Sequence, residues 1–195
     1  DDMQGTGTVA LACLLSGVNA AKGDLTKQKI VVLGAGTAGV GITDQIFRAM
    51  IASGLSEAEA RKNFWLIDRQ GLLLSNMDNL VDFQTPYARD PAEVKDWGVK
   101  GDISLLDTIK NIKPNVLIGA SAQTGAFTEE VVKLMAENNE YPVILPLSNP
   151  TSNGISPSSF LQPSVIQFLI IKTSSRVSLS SFSGICGSAV RPKSG

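Results

Sequence analysis

The sequence predicts an α/β fold in which helices cover both faces of one parallel sheet, and three observations lead there. Short apolar runs recur at Lys29 to Leu33, Phe64 to Asp68, Asn115 to Gly119 and Pro142 to Leu147, as strands buried on both faces require. Segments with apolar residues at helical spacing separate them, and this alternation is the pattern of a doubly wound parallel sheet. The first run also passes directly into Gly34-Ala35-Gly36-Thr37-Ala38-Gly39, a G-x-G-x-x-G turn that opens a helix.

Taken in order, Gly5 to Ala21 mixes Gly, Ala and Ser with Val, Leu and Cys all round, the composition of a helix buried between other elements. In the turn after the first strand, Gly34 permits the tight bend, Gly36 lets backbone approach a phosphate without a Cβ, and Gly39 lets helix pack closely on strand. A dinucleotide pyrophosphate would then sit on the unpaired N–H groups of the helix start. That helix runs from Thr37 to Ser53 on Val40, Ile42, Ile46, Phe47, Met50 and Ile51, with Gly54 as its C′ residue.

Gly54 to Arg61 reads as the helix end plus an extra capped turn. This turn explains why the glycines and Asp68 stand about thirty residues apart, where about twenty is usual. Asp68 ends the second strand, placed to accept both hydroxyls of a ribose. Residues 69–100, with Pro86, Pro91 and Gly98, read as a long polar connection with at most short structure, near the adenosine end. A short helix is expected from Ile103 to Ile112, followed by Pro114 and the third strand. Thr128 reads as the N-cap of a helix from Glu129 to Asn139 with acids in its first turn.

In such sheets ligands bind beyond the carboxyl ends of the strands, which puts Gly34, Asp68, the Ser121 loop and Asn149 on one rim. From Asn153 to Gly195 the chain changes: it is serine-rich, with Pro157, Pro163 and one apolar stretch at Val165 to Ile171, and the alternation does not return.

At 195 residues and 43% hydrophobic, the chain can bury one sizeable core, and no apolar run reaches the roughly 18 residues of a membrane span. A net charge of −1 without runs of like charge offers no long-range attraction to nucleic acid or an anionic membrane. Cys13 and Cys186 are too few for a disulfide framework or a thiolate cage, so reduced thiols are expected. The lack of histidine removes the commonest general base and transition-metal ligand, leaving carboxylates, amides and lysine. Lys110, Lys113 and Lys133 read as solvated helix faces. With no initiator Met, the chain reads as part of a longer soluble intracellular protein of the cytosol or an organelle matrix.

Three segments, in this order, resemble the nucleotide-binding domain of malic enzymes: Asp1-Asp2-Met3-Gln4-Gly5-Thr6, Gly34-Ala35-Gly36-Thr37-Ala38-Gly39 and Leu147-Ser148-Asn149-Pro150-Thr151. The connecting stretches Gly54 to Arg61, Trp65 to Asp68, Lys113 to Gly119 and Gly125 to Thr128 are similar to the family's as well. The resemblance spans residues 1–152, a Rossmann-type NAD(P)-binding domain, and leaves 153–195 as an atypical tail, either diverged or the product of a frameshift or intron read-through.

Malic enzymes oxidise L-malate at C2 by hydride transfer to NAD(P) and then release CO2, ending at pyruvate, with Mg²⁺ or Mn²⁺ holding the substrate. The resemblance implies that Asp2 is a metal ligand and Asp1 its catalytic neighbour beside the family's lysine. It assigns Gly34, Ala35, Gly36, Thr37, Ala38 and Gly39 to the pyrophosphate, Asp68 and Arg69 to the adenosine ribose, and Ser121 and Ala122 to a small-residue loop over the cofactor. Asn149 corresponds to an asparagine that contacts malate and the nicotinamide end. Read locally, Asp1-Asp2 also caps a helix and Asn149-Pro150 also makes a turn.

NAD is the expected cofactor, with NADP open: Asp68 suits a free 2′-hydroxyl, Arg69 a 2′-phosphate, and Gln84 resembles the residue of NAD-preferring members. The family's tyrosine acid, lysine base and malate-binding arginine belong to sequence upstream of this region. The expected role is therefore the cofactor-binding part of a homo-oligomeric malic enzyme, inactive alone. The alternative is a nonenzymatic module that binds a dinucleotide or a partner.

Overall fold

Side chains alternate along an extended strand, so a run that is apolar at every position must serve two layers at once. The computed structural model shows this arrangement. It describes residues 2–121, 127–147, 167–171 and 181–185, with side chains given for 7–121 and 127–147. Chain order is α1 (Asp2–Ala20), β1 (Ile30–Leu33), α2 (Thr37–Ala52), α3 (Glu57–Arg61), β2 (Phe64–Asp68), β3 (Gly71–Leu72), α4 (Leu105–Ile112), β4 (Val116–Gly119), α5 (Glu129–Asn138), β5 (Val143–Pro146), β6 (Gln167–Ile171) and β7 (Ser181–Ile185).

Among the described residues these strands form one sheet in the order β3-β2-β1-β4-β5-β6-β7. Its centre is parallel, with Ile30 level with Phe64 and Val116, and Val116 level with Val143. The remaining pairs, β2 with β3, β5 with β6 and β6 with β7, are antiparallel. Ile30, Val32, Phe64, Leu66, Val116 and Ile118 face a layer completed by Ala10 and Leu14 of α1 and by Ile46 and Met50 of α2. Val31, Trp65, Ile67 and Leu117 face the opposite layer, with Ile109 and Ile112 of α4 and Val131 and Met135 of α5. Each Val, Leu, Ile, Phe or Met among them, fully buried, contributes about 1.5–3 kcal/mol.

The first helix differs from what its composition predicts. It is buried on one face only: Ala10, Cys13 and Leu14 are inaccessible, whereas Val9 and Leu15 are 36% and 42% exposed. Its small residues serve close approach instead. A Cβ on Gly17 would lie 2.9 Å from Val143 Cγ1, and one on Gly7 would lie 3.0 Å from Gln45 Cγ.

The helix ends follow local sequence. Gly54, at φ +108°, closes α2; its N–H bonds the Ile51 carbonyl and that of Leu55 the Met50 carbonyl, a Schellman motif. Ser56 with Glu59, and Ser104 with Asp107, form capping boxes on α3 and α4, and Thr128 caps α5 through the Val131 N–H. The Ser104 cap starts α4 at Leu105, two residues after the expected Ile103. Lys113 then leaves the helix in the left-handed region, at φ 52°, ahead of Pro114.

Residues 69–100 hold β3 and three short 3-10 turns, at Thr85–Tyr87, Pro91–Glu93 and Lys95–Trp97. The connection is nonetheless fastened down. The Tyr87 hydroxyl donates to Asp44 Oδ1 of α2 at 2.6 Å, and Arg89 lies 4.0 Å over the ring of Trp65 while pairing with Glu93. Strands β6 and β7 extend the sheet where the sequence alternation had ended. Residues 148–166 and 186–195, and with them Asn149 and Cys186, lie outside the described residues. No helix among the described residues is long and apolar enough to cross a membrane.

Candidate functional site

The carboxyl ends of β1, β2 and β4 bring Gly34, Asp68 and Ser121 to one rim. Backbone bonds continue past the strands there, from Gly34 N–H to the Ile67 carbonyl at 2.7 Å and from Ala120 N–H to the Leu33 carbonyl at 2.8 Å. Gly34 has a φ of +100°, and a Cβ on it would lie 2.6 Å from Ser121 N. A Cβ on Gly39 would fall 1.7 Å from the Gly34 carbonyl oxygen and 3.4 Å from Ala120 Cβ. Gly34 and Gly39 are thus required by the protein itself, where turn, helix and the Ser121 segment meet.

Gly36 is different, since among the described residues a Cβ there would meet nothing within 4 Å. It is the N-cap of α2, and among the described residues no side chain caps the first turn of Thr37, Ala38 and Gly39. Among the described residues the helix therefore leaves its N-terminal amides and the positive end of its dipole uncovered, an arrangement that suits an anion. An uncapped helix start beside a glycine with free space before it fits the dinucleotide that the motif predicts.

Asp68 sits at the adjacent strand end, half-buried. Its Oδ1 accepts from the Arg69 N–H at 2.9 Å and its Oδ2 from Gln84 Nε2 at 3.0 Å. Arg69 itself is exposed. A carboxylate oxygen accepts more than one bond, so each oxygen keeps capacity for a ribose hydroxyl. Gln84, only 3% exposed, also donates through Nε2 to the Ala35 carbonyl at 2.8 Å, and its Oε1 accepts from the Val81 N–H at 3.2 Å. Sequence reasoning reached Gln84 only through resemblance. A glutamine in a polar connection carries no local sign that it will be buried under the glycine turn.

Asp1, Ala122 and Asn149 lie outside the described residues, as does the side chain of Asp2. Among the described residues no group of three or more His, Cys, Asp or Glu is placed to hold a metal ion. The lysines read as solvated are so: Lys133 is 57% exposed and pairs with Glu129 at 2.7 Å, and Lys110 stands 4.0 Å from Glu130. That pairing lowers the Glu129 carboxyl below its ordinary value and raises the Lys133 ammonium above its own.

Comparison with known proteins shows the family to which the chain belongs. The family described as malic enzyme, NAD binding domain, matches residues 3–160. The chain is 53% identical over 155 residues to NAD-dependent malic enzyme 3 of Bacillus subtilis, covering 78% of this chain and 27% of that protein. It is 51% identical over 153 residues to the NAD-dependent malic enzyme of Acinetobacter baylyi, with the same coverage of 78% and 27%. Among solved structures, the NAD-dependent malic enzyme of Thermotoga maritima superposes with a TM-score of 0.57 at 24% identity, over 78% of this chain and 35% of that one. The last is a likeness of fold. The chain spans about a quarter of the length of the curated relatives it matches, 27% in both cases.

Proposed function

Because this chain belongs to the malic enzyme NAD-binding domain family, we propose that it is the dinucleotide-binding part of an NAD-dependent malic enzyme, one that converts L-malate to pyruvate and CO2 when whole. The observation that carries the reading is the open N-terminus of α2, clear at Gly36 of every described side chain and next to the carboxylate of Asp68.

The residues divide the ligand between them. The amides of Thr37, Ala38 and Gly39 face the pyrophosphate, Asp68 accepts the adenosine ribose hydroxyls, and the Ser121 segment borders the turn at Gly34. When bound, NAD supplies the acceptor for the hydride leaving malate C2. A free 2′-hydroxyl suits the Asp68 carboxylate, whereas a 2′-phosphate would bring like charges together, and this favours NAD over NADP.

The same proposal includes Asp2 as a ligand of Mg²⁺ or Mn²⁺ with Asp1 beside it, since carboxylate oxygens suit hard cations. Asn149 is assigned to malate and the nicotinamide end, and the whole enzyme is read as a homo-oligomer.

The test is calorimetric titration of this chain with NAD and separately with NADP, alongside Asp68→Ala. Saturable NAD binding, tighter than that of NADP and weakened in the variant, is expected. A folded chain that binds neither dinucleotide would overturn the reading.

A further inference from the structure

Gln84 spends its whole donor capacity inside the protein. An amide nitrogen carries two hydrogens; one goes to the Ala35 carbonyl at 2.8 Å and the other to Asp68 Oδ2 at 3.0 Å. The Val81 N–H, 3.2 Å from Oε1, fixes the amide's orientation, because the reverse placement would set donor against donor. With only 3% of the residue exposed, it has no hydrogen left to offer a ligand.

We propose that Gln84 is a positioning residue for ribose recognition, one that acts on the cofactor only through Asp68. The proposal rests on the reading of this rim as a dinucleotide site. Ala35 lies within the glycine turn and Asp68 ends β2, so a single side chain joins the part of the rim that faces the pyrophosphate to the part that faces the ribose. Without that bridge the carboxylate is held, among the described residues, only by the neighbouring Arg69 N–H, and it can rotate away from the position that accepts two hydroxyls together. The buried Ala35 carbonyl would lose its partner in the same step. The bridge thus sets the spacing between phosphate and ribose before any ligand arrives.

The experiment compares two probes on the full chain, ADP and 2′,3′-dideoxy-ADP, which share adenine and diphosphate and differ only in the ribose hydroxyls. Gln84→Met preserves length and burial but removes both donors. It is expected to weaken ADP binding about tenfold, the scale of one charge-assisted hydrogen bond, and to leave dideoxy-ADP binding within about twofold. In an Asp68→Ala background, Gln84→Met is expected to add nothing to the ADP loss. The comparison of the two probes holds even if the Met variant is less stable, because both are bound by the same protein. Equal weakening of both probes would show a general packing role and overturn the proposal. So would unchanged ADP binding. Failure of the parent chain, while folded, to bind either probe would remove the underlying dinucleotide reading, an outcome distinct from either of those.

Discussion

Gly36 and Gly39 stand three residues apart and are constrained from opposite directions. Among the described residues nothing fills the space beside Gly36, so a side chain there would meet what binds; the space beside Gly39 is already filled by the Gly34 carbonyl, 1.7 Å from where a Cβ would be. Gly36→Val is therefore expected to abolish NAD binding while costing about 1 kcal/mol of stability, the loss of a favourable N-cap residue. Gly39→Ala is expected to cost about 3 kcal/mol or more, because backbone must move to admit one methyl. Urea unfolding of both variants, paired with calorimetry, separates the two costs. Tyr87 offers a second contrast. Burial, then its bond to Asp44, pushes its phenol far above the ordinary value. The unfolded chain consequently loses this proton first as pH rises, binds fewer protons than the folded one, and stability falls above about pH 10. Tyr87→Phe should flatten that alkaline decline in a series of thermal melts. If the parent and variant decline in parallel, Tyr87 is not the group responsible.

At the scale of elements, what could be read from sequence was what local chemistry decides. Ser56, Gly54 and Thr128 announce helix ends within a few residues, and the structure places caps and the Schellman closure at those positions. Ser104 is a cap of the same type that the reading of this helix passed over, and its hydroxyl rather than Ile103 sets where α4 begins. Ser104→Ala should cost about 1 kcal/mol in denaturant unfolding with no change in slope. Where partners lie far along the chain, local pattern gave less. The exposed side of α1 was hidden because small residues suit both an all-buried helix and one closely packed face. The two-residue β3 depends on its pairing with β2, and β6 and β7 on their register with β5 and each other. The burial of Gln84 depends on contacts 16 and 49 residues away, so only resemblance could single it out.

Over the whole molecule, apolar runs at each central strand required helices on both faces, and two separate layers of buried side chains result. The rim at the carboxyl ends couples the two, since β1, β2 and β4 all end there. A ligand that binds only the folded rim must stabilise the entire sheet. NAD at about one hundred times its dissociation constant should add about 2.7 kcal/mol to unfolding, and the gain should shrink for Asp68→Ala at the same concentration. Differential scanning calorimetry with and without NAD reads this directly; an unchanged transition in saturating NAD would contradict the proposed site.

The chain has two tryptophans, Trp65 and Trp97, and their rings lie 5.7 Å apart in the layer that α4 and α5 cover. Tyr87 packs edge-on against Phe47 and Phe64 in the other layer. Indole emission is therefore a one-sided reporter. It follows the wetting of the α4 and α5 side and is nearly blind to α1 and α2 lifting from theirs. Helical circular dichroism registers both, so a lag between the two optical signals would reveal that the two halves of the core melt separately.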